Sequence, residues 1–344
     1  MDAQENKLDL QALQQYLQDS ETIPAHHFFE QFSDLADSDL QDFLAVWRPA
    51  SLQRKLEFIE ALEETAASDT LVSYEALGMA FLHEQEAAIR KAGIALLDES
   101  EDYRLASELL RMAKHDKDIS VQAAAVKALG MFVYLGELDK FSAEKKKAIE
   151  DYLLQVIHSD AIDYKKQRAL EALGYSSNDE VPQLIHWALE KNDQDWLMAA
   201  LTAMGRSADE HWEPHVLDVL DHPDTDIQIE AIRAAGELEI TSSVEYLVDF
   251  LENTEEMDYE LFTTVVWSLS QIGGTKAIEV INALLDDAEN PEEIEFLETA
   301  LDNLELKQSV DALDFFSFDP SVDHYHAEYL DHEDEDLLEE DEED

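Results

Sequence analysis

One ten-residue pattern, repeated along the chain, limits what this sequence can fold into more than any other feature. Its first position is apolar in all but one copy, its fifth small or apolar, its sixth and ninth apolar, and its eighth apolar in all but the last two copies. Gly often stands at the tenth. The copies are Ile89–Asp98, Val121–Gly130, Lys165–Gly174, Trp196–Gly205, Ile227–Gly236, Leu261–Ser270 and a degenerate Phe296–Glu305. Their ends are spaced by 32, 44, 31, 31, 34 and 35 residues, and a weaker copy, Leu52–Ala61, lies 37 residues before the first. Self-similarity at roughly 30 to 47 residues is the signature of stacked two-helix units.

The spacing of the apolar positions identifies each copy as a helix. Positions one, five, eight and nine fall on one stripe of a 3.6-residue helix, and position six widens it. Small residues at position five, such as Gly93, Ala169, Ala200 and Ala231, predict close approach of another helix. The Gly at position ten predicts a helix end, since glycine enters the left-handed conformation without a Cβ penalty. Acidic turns precede the copies, as at Asp116-Lys117-Asp118, Asp193-Gln194-Asp195 and Asp224-Thr225-Asp226. Asp in such turns can accept from free helical N–H groups and meets the positive end of the helix dipole. Between copies lie the apolar stretches of partner helices: Ala106–Ala113, Val181–Leu189, Trp212–Leu220, Val244–Leu251 and Ala277–Leu285. The long interval predicts an enlarged loop over Leu135–Lys147.

Composition agrees with an all-α chain. Hydrophobic residues make up 45%, enough for a continuous core, while nine glycines and seven prolines are too few for a β-sandwich with its frequent turns. There is no cysteine, which removes disulfides, thiolate metal sites and cysteine nucleophiles. The first residues lack the basic and apolar regions of a secretory signal, and no uninterrupted apolar run reaches the ~18 residues of a membrane span. A cytoplasmic, monomeric protein with no membrane association is the expectation.

The net charge of −58 is extreme. Residues 331–344 hold eleven acidic residues and no Lys or Arg, so −47 remains on the body. Such a field repels phosphate backbones and anionic lipid, which argues against nucleic-acid binding, and attracts basic partners. The same charge also serves solubility with no partner at all.

An aspartate-containing turn followed by A-hydrophobic-x-A-L-G resembles the second helix of HEAT repeats and of HEAT-like repeats of the phycobilisome-lyase type. Lys165–Gly174, Ile227–Gly236 and the Ser270-Gln271-Ile272-Gly273-Gly274 end are the nearest matches. The resemblance covers roughly Ser68 to Leu306. It implies an α-solenoid of about seven to eight antiparallel helix pairs that serves mostly as a binding scaffold. The expected organisation is an N-terminal helical cap over residues 1–67, the solenoid over 68–308, and an acidic, aromatic-containing, largely disordered tail over 309–344. The aromatics Phe315, Phe316, Phe318, Tyr325 and Tyr329 read either as a linear binding motif or as packing on the last repeat.

In HEAT-like stacks the second helix lines the concave face, and many of the scarce basic residues lie in or beside these helices. Arg168, Arg206 and Arg233, with Tyr175, Trp212 and Trp267 nearby, form the candidate partner-binding set, because Arg and aromatics dominate interface hot spots. The alternative is structural, with arginines forking onto acidic turns of neighbouring repeats. No nucleotide-binding glycine motif or nucleophile elbow occurs. A HEAT-like metal-dependent hydroxylase would need repeated His-Glu pairs in each half. Here His-Glu occurs only at His83-Glu84 and His332-Glu333. The expectation is therefore no cofactor, no metal and no enzymatic activity, with a protein or peptide partner, the field favouring a basic one. The alternative is a lyase-like or metal-dependent enzyme or enzyme subunit built on the same repeats.

Overall fold

A computed structural model describes residues 8–18, 27–68, 71–98, 100–254 and 257–317. Among these there is no β-strand. The chain divides into two compact units, Met1–Trp212 and Glu213–Asp344.

The N-terminal unit begins with α1 (Leu10–Gln18), α2 (His27–Glu30), α3 (Asp37–Trp47) and α4 (Leu52–Ser68). Helix pairs follow: α5 (Glu75–Phe81) with α6 (Ala87–Ala95), α7 (Tyr103–His115) with α8 (Ile119–Glu137), and α9 (Ala143–His158) with α10 (Asp163–Leu173). The last pair is α11 (Val181–Leu189) with α12 (Gln194–Arg206). The C-terminal unit contains α13 (Glu213–Leu217), α14 (Thr225–Glu237), α15 (Val244–Asn253), α16 (Tyr259–Ile272), α17 (Thr275–Asp287) and α18 (Pro291–Ser317).

The repeat pattern maps directly onto packing. Each copy forms the second helix of a pair, and second helices of successive pairs pack on one another: α8 on α10, α10 on α12, α14 on α16, and α16 on α18. Positions five, six, eight and nine are buried in all five copies from α8 to α16, as in Ala125, Val126, Ala128 and Leu129 of α8 or Ala231, Ile232, Ala234 and Ala235 of α14. The acidic turns cap as expected. Asp118 Oδ1 accepts from Ser120 N–H at 2.8 Å, Asp193 from Trp196 N–H at 3.2 Å, and Asp258 from Leu261 N–H at 2.8 Å.

The glycines at position ten do not stop helices in the left-handed conformation. Gly130, Gly205 and Gly236 lie inside α8, α12 and α14, and Gly174 follows α10 with φ −51° and ψ −33°. Gly130, Gly174 and Gly236 instead share close contact with the next second helix. A Cβ on Gly174 would stand 2.7 Å from Ala203 Cα, and one on Gly236 2.8 Å from Ser268 Cα. The left-handed positions come three residues after Gly136, Gly205 and Gly236, at Asp139, Ala208 and Glu239, all with positive φ. Glycine is thus used for backbone-to-backbone approach, the position where any side chain collides.

The 44-residue interval is also resolved differently from the expected loop. α8 continues to Glu137 and α9 begins at Ala143, so Lys145, Lys146 and Lys147 lie in a helix and the extra residues lengthen two helices. α8 is the one helix among the described residues with the length and composition of a membrane span, yet Val121, Val126, Leu129, Phe132 and Val133 are buried against its neighbours.

The N-terminal helices share a core that runs on into the first pair, from Leu13 and Phe29 through Phe43, Trp47 and Phe58 to Leu77, Phe81 and Ile89. Trp47 stacks on Phe81 at 4.7 Å between ring centroids, and its indole N–H donates to Glu84 at 2.7 Å. A bulky aromatic core lets these short helices bury enough apolar surface to pack together.

A tyrosine–arginine face as the candidate functional site

With positions five, six, eight and nine turned to the core, positions four, seven and eleven of each second helix share the opposite stripe, since they are three, four and seven residues apart. On α10 and the turn that follows it this stripe carries Arg168, Glu171 and Tyr175, and on α12 it carries Thr202 and Arg206. On α14 it carries Glu230, Arg233 and Glu237, and on α16 Trp267.

The structure brings three of the candidates together around Glu171, a carboxylate only 2% exposed. Arg168 pairs with that carboxylate at 2.8 Å. Arg206 Nη1 donates to the Glu171 backbone carbonyl at 3.0 Å, and its guanidinium lies 4.8 Å above the Tyr175 ring. Tyr175 in turn packs on Tyr134 of α8, with ring centroids 5.2 Å apart. Tyr164 lies under the Arg168 guanidinium at 5.4 Å. Tyr134 and Tyr164 are exposed, at 42% and 44%. A continuous tyrosine–arginine array therefore crosses three successive second helices of the N-terminal unit.

Tyr134 and Tyr164 were not among the sequence candidates. Tyr134 was hidden because α8 was expected to end at Gly130; on a helix running to Glu137 it falls on the same stripe as Lys127 and Met131. Tyr164 lies four residues before Arg168 and was legible by the same rule.

The other candidates stand elsewhere. Trp212 is 1% exposed, with its ring 4.9 Å from His186, so it is a core residue and offers no surface anchor. Arg233 and Trp267 belong to the C-terminal unit. Arg233 forms an ion pair with Glu230 one turn earlier on α14, and Trp267 is 38% exposed on α16.

Two kinds of arginine separate on hydrogen bonding. Arg90 is fully engaged: it forks onto Asp116 through Nε at 2.8 Å and Nη2 at 2.7 Å, while Nη1 donates to the carbonyls of Glu84 and Gln85. It locks α6 to the turn before α8. Burial alone would raise the Asp116 carboxyl, but the Arg90 fork and the Asp118 N–H outweigh it and hold it below its ordinary value. Arg168 and Arg206, in contrast, each keep a shielded Nε that meets no acceptor among the described residues.

Beneath this face, burial rather than chemistry explains the perturbed groups. Lys165, 7% exposed, donates to the Ala113 carbonyl at 2.7 Å and to Gln122 at 2.8 Å, and burial lowers its pKa. Tyr152 donates to the same carbonyl at 2.7 Å, and burial pushes its phenol up to about 12. Both tie a second or first helix to the preceding pair.

The His83-Glu84 pair is split. Glu84 turns to Trp47, while His83 is exposed and lies 3.7 Å from Glu108. Among the described residues, no group of three or more His, Asp or Glu side chains is placed to hold a metal ion. His332-Glu333, the tail carboxylates and the aromatics from Phe318 onward lie outside the described residues.

The stack of helix pairs defines an all-α helical-repeat protein. Residues 213–302 match the family model for HEAT repeats, so the resemblance read from the sequence holds there. No curated protein matches the chain. Among solved structures, the YibA protein of Escherichia coli is 15% identical and covers 83% of this chain and 99% of its own, with a TM-score of 0.38. Human deoxyhypusine hydroxylase, solved in complex with glycerol, is 16% identical and covers 87% of this chain and 97% of its own, with a TM-score of 0.29. The second of these corrects one expectation. A similar structure belongs to an enzyme, so the fold does not settle whether this chain is one, and the reading of it as non-enzymatic does not stand.

Proposed function

We propose that this chain is a helical-repeat scaffold that holds a protein or peptide partner on the second-helix face of its N-terminal unit, anchored by Tyr134, Tyr175 and Arg206. The observation that supports this reading is the stacked array itself: Tyr134 on Tyr175 at 5.2 Å, and the Arg206 guanidinium 4.8 Å above Tyr175. Tyrosine and arginine contribute most per residue to interfaces. Held by one another before contact, these side chains lose little further freedom on binding. The net charge of −58 favours a partner that is basic overall and speeds its approach.

The test is quantitative partner capture from the native cell with the full chain and with Tyr134→Ala, Tyr175→Ala and Arg206→Ala. Tyr134 is exposed at 42%, so its truncation leaves the fold intact. The expected result is loss of the captured partner by roughly tenfold or more for Tyr134→Ala combined with Tyr175→Ala. An unchanged partner at unchanged occupancy refutes the site.

A further inference from the structure

The C-terminal unit carries a second surface of different chemistry. Between α15 and α17 lies a cleft of about 600 Å³. Its apolar lining comes from Val248 and Leu251 of α15 and from Val280 and Leu284 of α17. Val280 is 9% exposed, and the other three are half-buried. These are spaced three and four residues apart on their helices, so they form two adjacent apolar ridges with a valley between them.

The rim is almost wholly acidic. Glu245, Asp249 and Glu252 rise from α15, and Glu279 and Asp287 from α17. Lys276 is the single basic residue of the lining and is already paired with Glu245. Among the described residues, no Lys, Arg or His forms an ion pair with Asp249, Glu252, Glu279 or Asp287. Asp249 and Glu279 act on the Lys276 ammonium from beyond ion-pair distance, and with one lysine among five carboxylates the rim around the apolar floor keeps a strong net negative charge.

We infer that this cleft is a docking groove for a basic amphipathic helix of another protein, with apolar side chains in the α15–α17 valley and Lys or Arg side chains on the acidic rim. A helix laid in a groove presents anchors at i, i+3, i+4 and i+7, which the two ridges complement. Charge selects among the available occupants. A second copy of this chain carries −58 and is repelled, and residues 331–344 hold eleven acidic residues and no Lys or Arg. Anionic lipid is excluded by the same field. This groove is independent of the tyrosine–arginine face.

The full chain is titrated, by fluorescence anisotropy, into a labelled synthetic peptide of leucine and lysine with leucines at helical spacing. A scrambled peptide of the same composition and an analogue with glutamate for lysine serve as comparisons. The leucine–lysine peptide binds saturably and the other two bind at least tenfold more weakly, as directional docking requires. The deciding variant is Val248→Asp with Leu284→Asp. It makes the protein more acidic, so general attraction is undiminished while the apolar floor is lost, and affinity falls roughly tenfold. Equal or tighter binding by this variant, or equal binding of the scrambled peptide, overturns the inference. If that variant melts early by circular dichroism, Asp249→Lys with Glu279→Lys replaces it, both positions being exposed. Hydrogen-exchange protection on peptide binding then falls on residues 244–253 and 275–287, and protection elsewhere overturns the groove. Protection confined to these two helices separates this groove from the tyrosine–arginine face, so a failure here does not bear on that face.

Discussion

Gly174→Ala is a sign test of how the stack is assembled. Gly174 has right-handed helical dihedrals, so intrinsic propensity alone predicts that alanine stabilises the protein by about 1 kcal/mol. The tertiary packing predicts the opposite. An added Cβ would stand 2.7 Å from Ala203 Cα, 2.9 Å from Ala203 O and 3.1 Å from Arg206 Cβ. Two of these atoms are backbone, so no rotamer change relieves the contact, and α12 must shift as a body. Overpacking of this kind costs about 3 kcal/mol, which propensity reduces to a net loss of about 2 kcal/mol. Gly130→Ala is the internal comparison. Its Cβ would lie 3.1 Å from Ala172 Cα and 3.4 Å from Ala172 Cβ, a milder contact that propensity nearly offsets. Urea unfolding followed by circular dichroism and by tryptophan fluorescence measures both variants, two probes being needed because repeat arrays lose cooperativity. Adding Ala203→Gly to Gly174→Ala should bring no rescue, because the clash is with Ala203 backbone atoms. A Gly174→Ala protein more stable than the parent would refute the close-approach account.

Two further outcomes follow from buried hydrogen bonds. Arg90→Ala strips Asp116 of its fork and destabilises the chain by about 2–3 kcal/mol at neutral pH. Because the folded Asp116 pKa is depressed, that stabilisation is present above the ordinary 3.8 and is lost as pH falls through the lower folded value. The difference between parent and variant therefore shrinks in acid, and a difference independent of pH would sink the assignment. Tyr152→Phe removes the bond to the Ala113 carbonyl and costs about 1 kcal/mol at neutral pH. The phenol is raised from 10.0 to about 12, so its contribution is full below 10 and lost as pH rises through 12. The alkaline unfolding limb of Tyr152→Phe should accordingly move to higher pH, as circular dichroism would record.

That the chain is built of paired helices, where the acidic caps fall and which stripe is buried in the second helices from α8 to α16 were legible before any coordinates. These properties depend on spacing within one turn or two of helix, and a ten-residue pattern repeated seven times states them seven times over. Ala125, Ala169, Ala200 and Ala231 are buried for the reason their register predicts. The tertiary structure decided what local spacing leaves open. A glycine that terminates a helix and a glycine that admits a neighbour look alike in sequence, and only the 2.7 Å approach of Ala203 to Gly174 tells them apart. The length of α8 belongs here too. It runs past Gly130 because its continuation packs against neighbouring helices, and that is what places Tyr134 beside Tyr175. Trp212 illustrates the converse, an aromatic that composition offered as an anchor and packing took into the core. Periodicity determines the direction in which a side chain leaves its own helix. What that side chain meets depends on the distance between backbones in successive repeats, set by every small residue along the contact together.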